Sequence, residues 1–161
     1  MKVIFLDIDG VLNVIPRDRD AYGGIFHQNF VDNLGRIVEE TGAKIIISSS
    51  WRHGGIQRML DMWEFRKLPG EVIGVTPDLW GEVDGEDFYE KLQRGHEIQS
   101  VLDRMPEIER YVILDDDNDM LPSQQGNFVY CSTNVNHPDC VDLGYGLTNE
   151  CTKKAIRILN G

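Results

Sequence analysis

The chain of 161 residues is 41% apolar and 27% charged, the balance of an ordinary globular protein with one hydrophobic core. Its net charge of −11 excludes broad, nonspecific nucleic-acid binding, which depends on Lys and Arg neutralising phosphates, but leaves a nucleotide or a polynucleotide end open as substrate. No apolar run approaches the roughly 20 residues of a membrane helix, so no membrane partner is expected.

The first element is the apolar run Lys2–Leu6, a strand that ends in Asp7-Ile8-Asp9-Gly10. Because Met1 leads straight into it, no signal peptide is expected. Phe30, Leu34, Ile37 and Val38 then share one face of a helix that Gly42 stops. Lys44–Ile47 forms the second strand and runs into Ser48-Ser49-Ser50-Trp51-Arg52. Ile56–Phe65 repeats the helical pattern, and Pro69-Gly70 closes it. Glu71–Val75 is the third strand, and His96–Met105, just after Arg94, the third helix. The fourth strand, Tyr111–Leu114, opens into Asp115-Asp116-Asp117-Asn118-Asp119. Asn127–Cys131 is the fifth, and Thr148 caps a last helix through Leu159.

This alternation predicts a single α/β domain over residues 1–161, built around a parallel sheet of about five strands flanked by helices. In such sheets ligands bind beyond the carboxyl ends of the strands. Those ends carry the chemistry here. Asp7 and Asp9 are like charges two residues apart, a costly arrangement unless a proton or cation relieves it. Mg²⁺ suits oxygen ligands of this kind, and Asp115 supplies a further carboxylate from the fourth strand. Ser48, Ser49, Arg94 and Arg52 offer the donors a phosphoryl group needs. Arg17, Arg19, Tyr22, His27, Trp51, His53 and Trp80 are candidates for the entrance. The three cysteines, Cys131, Cys140 and Cys151, show no metal-ligand spacing, and their odd number points to a reducing, cytoplasmic setting rather than a disulfide framework.

Asp7-Ile8-Asp9-Gly10, Ser48 (or Ser49), Arg94 (or Lys91), and Asp115 with Asp119 resemble, in order, the four motifs of the haloacid dehalogenase (HAD) superfamily of phosphotransferases. Within it, Asp7–Asn13, Thr41–Lys44 with Ser48–Arg52, Arg94–Ile98 and Gly146–Thr148 are similar to the small HAD domains of Swiss-army-knife RNA repair proteins. The resemblance implies a Rossmann-like core with little or no cap. It also implies phosphomonoester hydrolysis, with Asp7 as nucleophile and Asp9 as acid/base. Mg²⁺ would be held by Asp7, the Asp9 carbonyl and Asp115, while Ser48 and Arg94 hold the phosphoryl group. Asp119 and Asp116 would orient Arg94 or a metal-bound water. A phosphotransferase or mutase using the same aspartyl-phosphate, or a noncatalytic phosphate-binding module, remains open at this point.

Overall fold

The structure is a computed structural model, and it describes residues 1–13, 18–79, 93–131 and 145–161. Five parallel strands form the central sheet in the order β5-β4-β1-β6-β7. They are β1 (Lys2–Leu6), β4 (Lys44–Ile47), β5 (Val72–Val75), β6 (Arg110–Asp115) and β7 (Phe128–Tyr130). Among the described residues four α-helices accompany them: α1 (Gln28–Thr41), α2 (Gly55–Phe65), α3 (Arg94–Arg104) and α4 (Asn149–Asn160). The expected Rossmann-like α/β core is therefore present, with element ends shifted by at most a few residues. The addition is a two-stranded antiparallel hairpin, β2 (Arg19–Asp20) with β3 (Gly23–Gly24), between β1 and α1. Its strands are too short and too polar to carry a periodic signal. No helix among the described residues is long and apolar enough to cross a membrane.

Alternation along the strands sends side chains to opposite faces of the sheet. Ile4, Leu6, Ile45, Ile47, Val112 and Leu114 meet Leu34 and Ile37 of α1, Met59 and Met62 of α2, and Ala155 and Leu159 of α4 in one cluster. Val3, Phe5, Ile46 and Ile113 meet Ile98 and Val101 of α3 on the other face. Burial on both faces explains why these strands read as continuous apolar runs rather than as alternating ones.

The topology also fixes where a ligand belongs. From β1 the chain lays down β4 and β5 on one side, then crosses to place β6 and β7 on the other. The strand order thus reverses between β1 and β6, the position where open α/β sheets leave a crevice. Leu6 is paired with Ile47 on one side and Leu114 on the other, so the three residues that follow, Asp7, Ser48 and Asp115, leave the sheet side by side.

Helix α4 begins as its sequence indicates, with Thr148 Oγ1 accepting from the Cys151 backbone N–H at 3.2 Å. Replacing Thr148 by Ala is expected to lower stability by about 1 kcal/mol, and by Ser to retain most of it. Urea denaturation of the three proteins checks this.

Candidate active site

Asp7 continues the line of β1, its backbone N–H donating to the Leu114 carbonyl at 2.9 Å. Beyond it the chain turns sharply: the N–H groups of Val11 and Leu12 both donate to the Ile8 carbonyl, at 3.1 and 2.9 Å. Gly10 makes this turn with φ of +82°, and a Cβ there would lie 2.2 Å from Asp116 Oδ2. Glycine is required twice, by the left-handed conformation and by the close approach of Asp116. The turn carries Asp9 off the strand line into an exposed position, while Asp7 stays buried.

Ligand oxygens of Asp7, Asp115 and Asp116 all lie within 4.8 Å of one another. Burial raises the affinity of each for a proton. For Asp7, burial lifts the carboxyl from its ordinary 3.8 to about 7; Arg94 opposes the rise, and the neighbouring Asp116 charge adds to it. Asp115 is pushed well up by burial and then by Asp7. Asp116 rises through burial too, while hydrogen bonds to the other two carboxyls restrain it. Three carboxyls that resist ionising together are a donor set for one hard cation, which would replace the proton. Asp116, expected only to support the site, thus stands among the candidate ligands. No side-chain oxygen of Asp9 belongs to this cluster; its Oδ1 accepts from Trp51 Nε1 at 3.0 Å.

The cationic side of the site comes from α3. Arg94 is its first residue, and its backbone N–H donates to Asp119 Oδ2 at 3.0 Å. Gln124 pins the same end by donating to the Gly95 carbonyl at 2.8 Å and accepting from Leu121 N–H at 3.0 Å. The loop after β6 thereby sets the position of Arg94. Its Nη1 donates to the Ser48 carbonyl and lies 3.9 Å from Asp7 Oδ1. Asp119 acts on Arg94 through the backbone.

The two candidate serines separate cleanly. Ser49 is fully buried, and its Oγ accepts from the Trp51 backbone N–H at 3.3 Å, capping the 3-10 turn Ser50–Gly54. Ser48 Oγ, also buried, has no hydrogen-bond partner among the described residues. Ser48 follows β4 as Asp7 follows β1, and its hydroxyl still has a hydrogen bond to make.

Arg52 departs from expectation. Sequence proximity to Ser48 marks it as a substrate contact, yet its guanidinium turns inward to Glu97 of α3 at 2.7 Å and to the Ser49 carbonyl at 2.8 Å. Both partners of the ion pair are buried, at 6% and 3% side-chain exposure. The reason is Glu97, whose carboxylate on the inner side of α3 would otherwise be an uncompensated buried charge. Arg52 ties the end of β4 to α3. Of the entrance candidates, Arg19 is exposed on the hairpin, and Tyr22 lies under the Arg58 guanidinium at 5.1 Å. His53 pairs with Asp78 at 3.3 Å, and the His27 ring packs on Phe30. Arg17, Trp80 and Lys91 lie outside the described residues.

A family model described as the HAD domain in Swiss Army Knife RNA repair proteins matches residues 3–136. No curated protein and no solved structure matches the chain.

Two expectations follow. Arg52→Ala should cost about 3–5 kcal/mol in urea denaturation, because Glu97 is left buried and unpaired; Arg52→Met with Glu97→Met should recover much of the loss. The raised Asp7 value makes the metal-free protein keep a proton that the unfolded chain gives up as pH climbs from about 4 to about 7. That contribution to stability is full below the unfolded value and is lost as pH rises through the folded one. Added divalent cation should therefore raise the melting temperature more at about pH 8 than at about pH 5.5. Equal increments in thermal-shift scans would contradict the assigned ligand cluster.

Proposed function

The chain belongs to the HAD domains of Swiss Army Knife RNA repair proteins, and from that membership we propose that it is a Mg²⁺-dependent phosphomonoester hydrolase working through an aspartyl-phosphate on Asp7. The observation that carries the proposal is the arrangement at the centre of the sheet edge. Buried Asp7 lies 3.9 Å from the Arg94 guanidinium and within a carboxylate cluster suited to one cation, and Ser48, whose hydroxyl has no partner among the described residues, follows the neighbouring strand.

In this reading Asp7, Asp115 and Asp116, with the Asp9 carbonyl, would hold Mg²⁺. When bound, the ion supplies positive charge for the phosphoryl oxygens. Ser48 Oγ and the Arg94 guanidinium hold the transferring group, so that the reaction proceeds mainly by positioning and electrostatics. A carboxylate oxygen of Asp7 attacks phosphorus, and the bond to the leaving oxygen breaks as Asp9 gives that oxygen its proton. Water then attacks phosphorus of the acyl phosphate while Asp9 takes its proton. Inorganic phosphate leaves, and the Asp7 carboxylate is restored. Cation relief matters to the first step, since a protonated Asp7 has no nucleophilic charge to offer.

For the substrate we propose a phosphorylated nucleotide or polynucleotide end, the class consistent with the repair proteins in which this family occurs. The net charge of −11 suits recognition of a single phosphate in the site better than a broad grip on the backbone. The odd number of cysteines, three, is what supports a reducing, cytoplasmic setting.

With Mg²⁺ the protein is expected to hydrolyse a generic aryl phosphate and, more efficiently, oligonucleotide 3′- or 5′-phosphates. Asp7→Asn should remove the activity by about 10³-fold or more while the fold persists by circular dichroism. Undiminished turnover in that variant refutes the nucleophile, and a strong preference for sugar phosphates refutes the nucleic-acid substrate.

A further inference from the structure

Trp51 stands where three parts of the molecule meet. Its backbone N–H is tied to Ser49 Oγ at 3.3 Å, which anchors it to the end of β4. Its ring packs against Phe26 with centroids 5.5 Å apart. Gly23 of the hairpin approaches so closely that a Cβ there would lie 3.1 Å from the ring. The Arg66 guanidinium sits 5.8 Å from the ring centroid. Arg66 is itself gripped by Asp20 through bonds of 2.8 and 2.7 Å, and it also donates to the Gly23 carbonyl at 3.2 Å. The Asp20–Arg66 pair is mostly shielded, at 18% and 7% side-chain exposure. The indole is thus clamped between hairpin, α2 end and β4 end, and its one polar atom reaches Asp9 Oδ1 at 3.0 Å.

An indole N–H donates and cannot accept. A carbonyl-type carboxyl oxygen accepts better than a hydroxyl oxygen, so the bond occupies Oδ1 and favours Oδ2 as the oxygen that exchanges the proton. A group that moves a proton twice per turnover gains from having that oxygen and its direction chosen beforehand. We infer that Trp51 is a positioning residue for proton transfer, fixing the Asp9 carboxyl so that Oδ2 serves the leaving oxygen and then the attacking water. The Asp20–Arg66 clamp holds the indole in that role. The inference rests on the hydrolase reading proposed above.

A purely structural Trp and a positioning Trp differ in their sensitivity to the leaving group. An alkyl phosphate needs a proton on its departing oxygen, whereas dinitrophenolate departs without one. Trp51→Phe keeps the ring and removes the donor. Its kcat/KM for an alkyl phosphate should fall about 10-fold or more, and several-fold less for dinitrophenyl phosphate. In an Asp9→Asn background the same substitution should add no further loss beyond about twofold. Asp20→Asn, which loosens the clamp but leaves the indole, should show the same bias at smaller size and carries the test if Trp51→Phe does not fold. Equal losses on both esters, or a full effect of Trp51→Phe in the Asp9→Asn background, overturn the positioning role while leaving the hydrolase intact. A wild-type protein inactive on both esters overturns the hydrolase reading, and the inference with it.

Discussion

The structure turns on the mutual repulsion and shared desolvation of Asp7, Asp115 and Asp116. Three carboxyls with oxygens inside 4.8 Å are brought together by the sheet register, and hydrogen bonds of Asp116 to the other two relieve part of their repulsion. Asp7 and Asp115 follow paired residues of adjacent strands, so neither can retreat without breaking the centre of the sheet. Asp116 is held against Gly10 at a distance only glycine permits. The apolar strands beneath therefore sustain a local electrostatic cost that a bound cation would offset.

Around this centre, charged groups act as structural ties as much as reactants. The buried Arg52–Glu97 pair joins the end of β4 to α3, and Asp119 with Gln124 joins the start of α3 to the loop after β6. These ties place Arg94 over the Ser48 carbonyl and near Asp7. A positive charge at that point moderates the repulsion among the carboxyls, as its opposing effect on both Asp7 and Asp115 shows. Fold and site are consequently not separable here. Loosening α3 moves the guanidinium that faces Asp7.

Much of this was legible beforehand because strand and helix patterns are local. The runs at Lys2–Leu6 and Lys44–Ile47 place Asp7 and Ser48 at strand ends with no knowledge of the rest of the chain. Gly42 and Thr148 mark helix ends by backbone and capping chemistry confined to a few residues. The hairpin was not legible, since two-residue strands have no period to detect. The direction of Arg52 was not legible, because nearness in sequence to Ser48 says nothing about Glu97, 45 residues away, which claims its guanidinium.

The sequence by itself determined which residue types stand at the carboxyl ends of the strands, and hence the acidic and hydroxyl character of the site. Tertiary structure alone decided which carboxyl oxygens cluster, which serine hydroxyl lacks a partner among the described residues, and which way Arg52 points. It alone brought Trp51 to Asp9 across 42 residues. The physical reason is range. Period and capping act over one or two turns of chain, whereas side-chain direction within a turn is settled by whatever the sheet register and helix packing deliver to it from elsewhere.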